Sequence, residues 1–423
     1  LKPRKVGRVV TPGTLVDESW LSGSESRYLL ALAVDTGSTD SDGANFPISL
    51  AYTDASTGEF FSKDTDLGQM EDELARVAPR EVVLDVSLKP IWDAGQSTHH
   101  AALDQLLGLL RVLGVYVSFA DPARAPLLDG LATILSSTPL ATPMTLETRA
   151  ISLLRHHLQY ALRDSMPALP DQPQRQLASS QMQIDAATLA ALEIRHAIRP
   201  GGLVELPSQG RPATLLSVRG TLLSVLAQTR TPSGHRLLIR TLTSPSTDIA
   251  AINRRLSLVQ ALVDRRDLRD DLREALRDSG DIMRILQRFK GQRGSGRDIW
   301  DTAKWIRGIE KLHTRIKQDL LSAEKLSDSK ASSLEGLERL QSLVEHFNNM
   351  ATIADKIEAS VDETNLLRGL ELEADEDDIE GVEAAGDALV ASTAGRKDGE
   401  TRREIKERER EEREHAIWWI RPG

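Results

Sequence analysis

The sequence contains no cysteine in 423 residues. Disulfides and thiol nucleophiles are therefore excluded, and the composition fits a reducing compartment. No apolar run approaches the roughly 18 residues that a membrane-spanning helix needs. The first ten residues, LKPRKVGRVV, are basic and β-branched. They hold no apolar stretch followed by a small-residue cleavage site, so no secretory signal is read there. No G-x-x-x-x-G-K-[ST] phosphate loop and no G-x-S-x-G nucleophile elbow occurs. The segment GQRGSGRD, residues 291–298, has glycine and arginine but lacks that lysine and a preceding strand, and it reads as an inter-helix loop. His99-His100 and His156-His157 are adjacent pairs, and neighbours on a helix point too far apart to chelate one metal together.

Apolar residues make up 40% and charged residues 27%, the balance of a globular chain. The length is enough for two or three ordinary domains. Net charge is −10, but residues 371–387, ELEADEDDIEGVEAAGD, hold nine acids and no base, and the remainder is at −1. The overall charge therefore says little about what the folded part binds.

Residues 1–122 read as α/β. KVGRVV, YLLALAVD, FPISLAYTD and EFFSKD are short β-rich runs. Helix, strand, helix, strand follow in LGQMEDELARVAP, REVVLD, HHAALDQLLGLLRVLG and VYVSFA, which predicts a mixed sheet with helices packed on it. Residues 123–145, rich in Pro and Ser, read as a linker. From 146 to 370 the pattern is all-helical. One apolar face comprises Ile151, Leu154, Leu158 and Leu162. A second comprises Ile249, Ile252, Leu256, Val259 and Leu262 or Val263. A third, longer face includes Ile299, Ala303, Ile306, Leu312, Ile316 and Leu320. All three are expected to pack into a core. Residues 371–402 are expected to be disordered because their acids repel and offer little to bury. Residues 403–423 begin with REIKEREREEREH, whose opposite charges at i,i+3 and i,i+4 predict a solvated helix.

Two stretches test for chemistry. VDTGSTD, residues 34–40, is like the phosphate-binding hairpin of sugar kinases and actin, but that machinery needs a second α/β half, and here the second half is helical. Asp35 and Asp54 end adjacent predicted strands, as the metal-binding carboxylates of ribonuclease H-like nucleases do. No third carboxylate stands at a matching strand end, and turn-capping is the simpler reading.

The opening RVVTPGT, with Thr11, Pro12, Gly13 and Thr14, resembles the segment by which MutS-family DNA mismatch repair proteins enter their connector domain. Pro12 fixes φ and Gly13 permits φ above zero, which predicts a type II turn. The resemblance continues in order. LAYTDASTGEF carries Asp54, Ser56, Thr57 and Gly58 in a turn between two strands. MQIDAATLAALEI places Asp185 and Thr188 at the start of a helix. GTLLSVLAQTRTPSGHRLL carries Thr229, Thr231, Gly234 and Arg236. INRRLSLVQAL fits through Ile252, Arg255 and Val259, and DIMRILQR through Asp281, Arg284 and Arg288. Arg297-Asp298 opens a long lever helix. Position 241, often Trp in the family, is Thr here. Arg236, Arg284 and Arg288 read as members of intradomain ion pairs.

The resemblance implies a multidomain α/β plus all-α fold, a ribonuclease H-like connector domain followed by a helical MutS core and lever domain. It implies that the complete protein binds mismatched duplex DNA, uses ATP and Mg, and forms a homo- or heterodimer through its ATPase domain, with a MutL-type partner at the connector. Neither the Phe-x-Glu mismatch probe nor the ATPase lies in this sequence. No catalytic, cofactor or metal residue is therefore assigned, no membrane contact is expected, and the chain is read as scaffold and relay. The insertions GSTDSDGAN and VELPSQGRPATLLSV are similar to those of the fungal mitochondrial branch, which implies a mitochondrial location, with the nucleus or a bacterial cytoplasm as alternatives. A family member without a mismatch reader and a ribonuclease H-like nuclease are the rival readings.

Overall fold

The computed structural model describes residues 8–16, 25–35, 45–95, 100–121, 145–163, 166–196, 220–277, 279–325, 331–347, 350–364 and 366. The acidic segment 371–402, the charged segment 403–423 and the linker, apart from Thr145, lie outside these residues. The chain divides into two compact units. The first comprises residues 1–269, 281–293 and 330–336, and the second comprises 270–280, 294–329 and 337–423.

The first unit is built on a mixed sheet. Its strands are β1 (Leu29–Val34), β2 (Pro47–Asp54), β3 (Glu59–Asp66), β4 (Glu81–Asp85), β5 (Tyr116–Ala120) and β6 (Gln174–Arg175), in the order β5-β4-β1-β2-β3-β6. The β1–β2 and β2–β3 pairs are antiparallel, whereas β4 runs parallel to both β1 and β5. β6 adds a parallel edge to β3. Its two residues, Gln174 and Arg175, are too few and too polar to read as a strand in the sequence.

Alternation along the strands sends large and small residues to opposite faces. Leu30, Leu32, Val34, Ile48, Leu50, Val82 and Leu84 face one side. There they meet α1 (Met70–Val77) and α3 (Ala101–Val112), which contribute Met70, Leu74, Leu103, Leu106 and Leu110. The short α2 (Lys89–Ala94) precedes α3. Ala31, Ala33 and Ala51 face the other side and make room for α4 (Leu146–Leu162), which brings Ala150, Leu153, Leu154, Leu158 and Ala161 onto the sheet. This differs from the domain map drawn from sequence, which put α4 at the head of the helical domain. Its apolar face is buried as expected, but against the sheet, because both sheet faces are apolar and only one is covered by α1 and α3.

A second difference lies at the amino end. A strand was expected over residues 5–10, yet residues 8–10 are not in the sheet. The Val9 N–H donates instead to the Ala161 carbonyl, 2.8 Å away, so the segment is tied to the end of α4.

The helical part of the first unit contains α5 (Ala186–Ala191), α6 (Leu222–Leu226), α7 (Pro232–Thr243), α8 (Ile249–Asp264), most of α10 (Ile282–Lys290) and the start of α12 (Ala331–Glu345). The expectation that every apolar stripe enters a core fails on α8. Ile249, Leu256, Val259 and Val263 are 58–72% exposed. Ser257 and Ala261 are buried instead, under Gly336, whose Cβ, if present, would lie 2.1 Å from the Ser257 carbonyl oxygen. The helix packs through its small residues because only these let the backbones approach so closely.

The second unit contains the later part of α9 (Arg266–Ala275), the 30-residue α11 (Gly296–Lys325), the rest of α12, and α13 (Ala351–Ser360). α11 opens with a reciprocal cap. The Ser295 N–H donates to Asp298 Oδ2 at 2.9 Å and the Asp298 N–H donates to Ser295 Oγ at 3.2 Å. Ala303, Ile306, Leu312 and Ile316 are buried on one face, as the periodicity predicts. Ala303 and Ile306 pack on Ala354 of α13. Arg307 bonds Glu310, Glu358 and Asp355 together, and Arg315 pairs with Asp271 and Asp319. Such a network of exposed pairs fixes register more than it adds stability.

Candidate functional site

The family-motif residues gather at two polar clusters of the first unit, and the larger joins the sheet to the helices. It begins at the β2–β3 turn. Asp54 is fully buried. Its Oδ1 accepts from the Ser56 N–H (2.9 Å) and hydroxyl (2.7 Å), and its Oδ2 accepts from the Arg27 N–H (3.0 Å). The Thr57 and Gly58 N–H groups donate to the Asp54 carbonyl. The carboxylate is thus committed to holding a turn, in agreement with the capping reading. Gly58 closes the turn at φ +76°, in the left-handed region that only glycine enters freely.

Gln287 of α10 is inserted against this turn. Its Nε2 donates to the carbonyls of Ala168 (3.3 Å) and Thr57 (3.5 Å), and its Oε1 accepts from the Ala168 N–H (3.2 Å). A Cβ on Gly58 would lie 1.9 Å from Gln287 Nε2, so the glycine is needed for space as well as for φ.

Asp281 holds the N-cap position of α10 but makes no side-chain cap hydrogen bond. Its carboxylate receives a fork from Arg236 of α7 instead, Nη1 to Oδ2 at 2.6 Å and Nη2 to Oδ1 at 2.7 Å. Arg284 lies 3.5 Å from the same Oδ2 and donates from Nη2 to the Glu25 carbonyl at 3.0 Å. Burial disfavours the Arg236 charge, but the hydrogen bonds and charge of Asp281 outweigh it and hold the guanidinium above its ordinary value. For Arg284, burial and the neighbouring Arg236 prevail, and its value is lowered. Arg240 of α7 reaches β3, donating to Glu59 Oε1 at 2.9 Å. Arg236 and Arg284 were expected in intradomain ion pairs, and both are found there. Arg288 lies half-buried in the last turn of α10.

The remaining motif residues on α5, α7 and α8 are local. Thr231 caps α7 by accepting from the Gly234 N–H at 3.1 Å, and Pro232 stands in the first turn. Gly234 lies inside the first turn of α7, where a Cβ would sit 2.9 Å from the capping hydroxyl and 3.9 Å from Thr229 Cβ. Asp185 caps α5 through the Thr188 N–H at 2.7 Å. Arg255 is exposed on α8, and Thr241 is half-buried on α7 with its hydroxyl donating to the Leu237 carbonyl.

The opening turn forms the second cluster. The Thr14 N–H donates to the Thr11 carbonyl at 3.1 Å, and the Thr11 N–H donates to Thr14 Oγ1 at 3.0 Å. Pro12 is at the exposed tip. The predicted type II geometry is not adopted, because Gly13 is not at positive φ. Close approach requires glycine here: a Cβ would lie 2.8 Å from Leu29 Cδ1 and 2.9 Å from Glu81 Cβ. The Gly13 N–H donates to Glu81 Oε2 at 2.9 Å. Glu81 is fully buried in β4, accepts from Ser118 Oγ at 2.5 Å, and lies 3.0 Å from Nε2 of buried His157. Burial pushes this carboxyl up, but the adjoining His157 ring and the hydroxyl of Ser118 outweigh it and hold the carboxyl below the usual carboxylate range.

Sequence reasoning missed Glu81, His157, Gln287, Glu59 and Arg240. One signal was available for Glu81: a charged residue at the head of an otherwise apolar strand needs a buried partner. Among the described residues no group of three His, Asp or Glu side chains could hold a metal ion. A cavity of about 250 Å³ lined by Phe46, Ser87, Leu88, Ile91, His100 and Leu103 is mainly apolar and includes no motif residue. The arrangement can brace one part of the unit against another.

Residues 187–418 match the family model described as MutS domain III. The DNA mismatch repair protein MutS of Rhodopseudomonas palustris strain BisB5 is 32% identical over 315 residues, 74% of this chain and 31% of that protein. That of Nitrobacter hamburgensis is 32% identical over 326 residues, 76% of this chain and 33% of that protein. That of Cereibacter sphaeroides is 31% identical over 403 residues, 93% of this chain and 40% of that protein. The chain thus spans about a third of the length of the curated relatives it matches. On the family model and these collinear relatives, the chain belongs to the MutS family.

Proposed function

We propose that this chain is the connector, core and lever part of a DNA mismatch repair protein, and that it acts as a rigid relay. In this reading the complete protein binds mismatched duplex DNA as a homo- or heterodimer and hydrolyses ATP with Mg. The levers carry nucleotide state toward a DNA clamp, and the connector meets a MutL-type partner. The strand order 3-2-1-4-5 within the sheet, with an antiparallel meander followed by parallel strands, supports a ribonuclease H-like connector. The insertions favour the fungal mitochondrial branch and a mitochondrial location.

The observation that carries the relay reading is the buried Arg236–Asp281 fork beside the Gln287 wedge. A relay must transmit displacement, and a satisfied buried polar junction resists sliding more than apolar packing does. The test is an anisotropy titration of a fully paired and a G·T-mismatched duplex at two salt concentrations. A relay without probe or clamp binds both weakly, at or above the ~10⁻⁴ M edge of non-specific affinity, and does not distinguish them. A mismatch preference above roughly threefold, or micromolar ATP binding in a calorimetric titration, would place recognition inside this chain and overturn the reading.

A further inference from the structure

The opening segment, residues 8–14, runs outside the sheet and is tied down near both of its ends. The Val9 N–H donates to the Ala161 carbonyl of α4 at 2.8 Å, and the Gly13 N–H donates to Glu81 Oε2 of β4 at 2.9 Å. Between these ties the chain turns on itself through Thr11 and Thr14, and Val10 and Pro12 are exposed. The other carboxylate oxygen, Glu81 Oε1, accepts from Ser118 Oγ of β5 at 2.5 Å. His157 Nε2 of α4 lies 3.0 Å from it without an aligned hydrogen bond. His157 and Ala161 stand about one turn apart on α4. One carboxylate thus joins the segment to two strands and to the helix that holds the segment's far end. Glu81 is fully buried, and a buried carboxylate is tolerated only while its oxygens are hydrogen-bonded. If the segment lifts, water can replace the Gly13 N–H at Oε2, so little hydrogen bonding is lost. Lifting a strand from the sheet would expose the apolar core on both faces. The segment therefore belongs to the part of the fold that opens most easily, and the sheet to the part that opens least.

We propose that residues 8–14 form a strap that opens and closes as one unit on the Glu81 carboxylate while the sheet stays folded, coupling the entry of the chain to α4 only when it is closed. The charge of Glu81 matters because an N–H donates about twice as strongly to a carboxylate as to a neutral oxygen. Gly13 matters because a Cβ, 2.8 Å from Leu29 Cδ1 and 2.9 Å from Glu81 Cβ, would keep the strap from seating. In the closed strap a displacement of the entry segment passes to α4 through Ala161 and to β4 through Glu81. In the open strap it does not. This role rests on the reading of the chain as a relay, whereas the opening of the strap is measured without DNA or ATP, so failure of one is told apart from failure of the other.

The experiment is amide hydrogen exchange of the whole chain, read at single residues in urea from zero to about 1 M, below unfolding. Val9 and Gly13 should be protected to the same degree, and less than Leu32 and Leu50 in the sheet. Their exchange should be flat in urea, because the strap uncovers little surface, whereas Leu32 and Leu50 should accelerate with it. Glu81→Gln keeps the side-chain shape and removes the charge. It should speed Gly13 and Val9 together by about tenfold, with the flat urea dependence kept. Gly13→Ala should speed Val9 at least as much, although the substitution lies four residues away. Melting temperatures check that the variants fold; if Glu81→Gln melts early, Gly13→Ala carries the comparison, and the parent chain by itself tests the separate opening. Three results would each overturn the proposal. In the first, Val9 and Gly13 exchange at the rate and urea slope of Leu32 and Leu50, so that Glu81 only stabilises the fold as a whole. In the second, both are unprotected in the parent, so that no closed strap exists. In the third, Glu81→Gln speeds Gly13 and leaves Val9 unchanged, so that the two ties are independent.

Discussion

Replacing Asp281 by alanine tests the junction most directly. The Arg236 side chain is 5% exposed, Asp281 14% and Arg284 9%. Removing the carboxylate leaves the Arg236 guanidinium buried without its two short hydrogen bonds. Arg284 loses less, because its Asp281 contact is longer and it keeps the Glu25 carbonyl. Breaking a buried pair by deleting one partner costs about 3–5 kcal/mol, most of it the stranded charge. With a urea slope of roughly 3 kcal/mol per molar, the midpoint for the first unit should fall by roughly 1–1.7 M. Pulse proteolysis across a urea series reads this. Two comparisons make the test specific. Arg240→Ala removes a half-exposed pair with Glu59 and should cost about 1 kcal/mol. The double variant Arg236→Met/Asp281→Leu removes the Arg236 charge together with its partner, leaves Arg284 as it is in the single variant, and should recover at least half of the Asp281→Ala loss. A loss below about 1 kcal/mol for Asp281→Ala, or a double variant as unstable as the sum of the singles, would refute the claim that this pair is a buried junction.

Gly58→Ala should cost about 2–3 kcal/mol in the same assay, from the left-handed φ and from displacing the Gln287 amide, and Gln287→Ala in addition should restore part of it. Glu81 gives a pH dependence. Its native carboxyl titrates below the unfolded value of about 4.3, so its contribution is complete above that pH and is lost as pH falls through the native value. Melting temperatures taken from about pH 6 to pH 3 should therefore fall more steeply in the parent than in Glu81→Gln; parallel slopes would show that Glu81 is not stabilised as charged. Leu256→Glu with Val259→Lys, on the exposed side of α8, should leave the melting temperature within the roughly 0.5 kcal/mol of a surface change while lowering binding of a hydrophobic dye, and a loss above about 2 kcal/mol would mean that the stripe is buried.

Much of the fold was legible because its signals are local. β1 to β5, α1 and α3 have the required alternation or periodicity, bounded by turn residues, and the cap at Asp185 follows from short-range chemistry. The long α11 shows its buried face as a regular stripe. Where the reading failed, the deciding information was not local. An amphipathic helix reveals which face is apolar but not what it meets. The same kind of stripe therefore lies on the sheet in α4, on α13 in α11, and in the open in α8. Gly13 was singled out for a positive φ, but what requires glycine there is close approach to Leu29 and Glu81, atoms far away in the chain.

The candidate site divides in the same way. Sequence by itself determined which residues carry the family motifs, that the second half is helical, and that no phosphate loop or thiol chemistry is present. It also determined the turn at Asp54-Ser56-Thr57-Gly58, because an Asx turn closes through hydrogen bonds between residues two and three apart. Tertiary structure alone decided that Arg236 meets Asp281 across 45 residues, that Gln287 wedges beside Gly58 across more than 200, and that Glu81 buries its charge between Gly13, Ser118 and His157. Charged and amide side chains have many possible partners along a chain. Only the folded geometry, by removing water from some of them, makes one pairing strong and leaves the others as solvated surface.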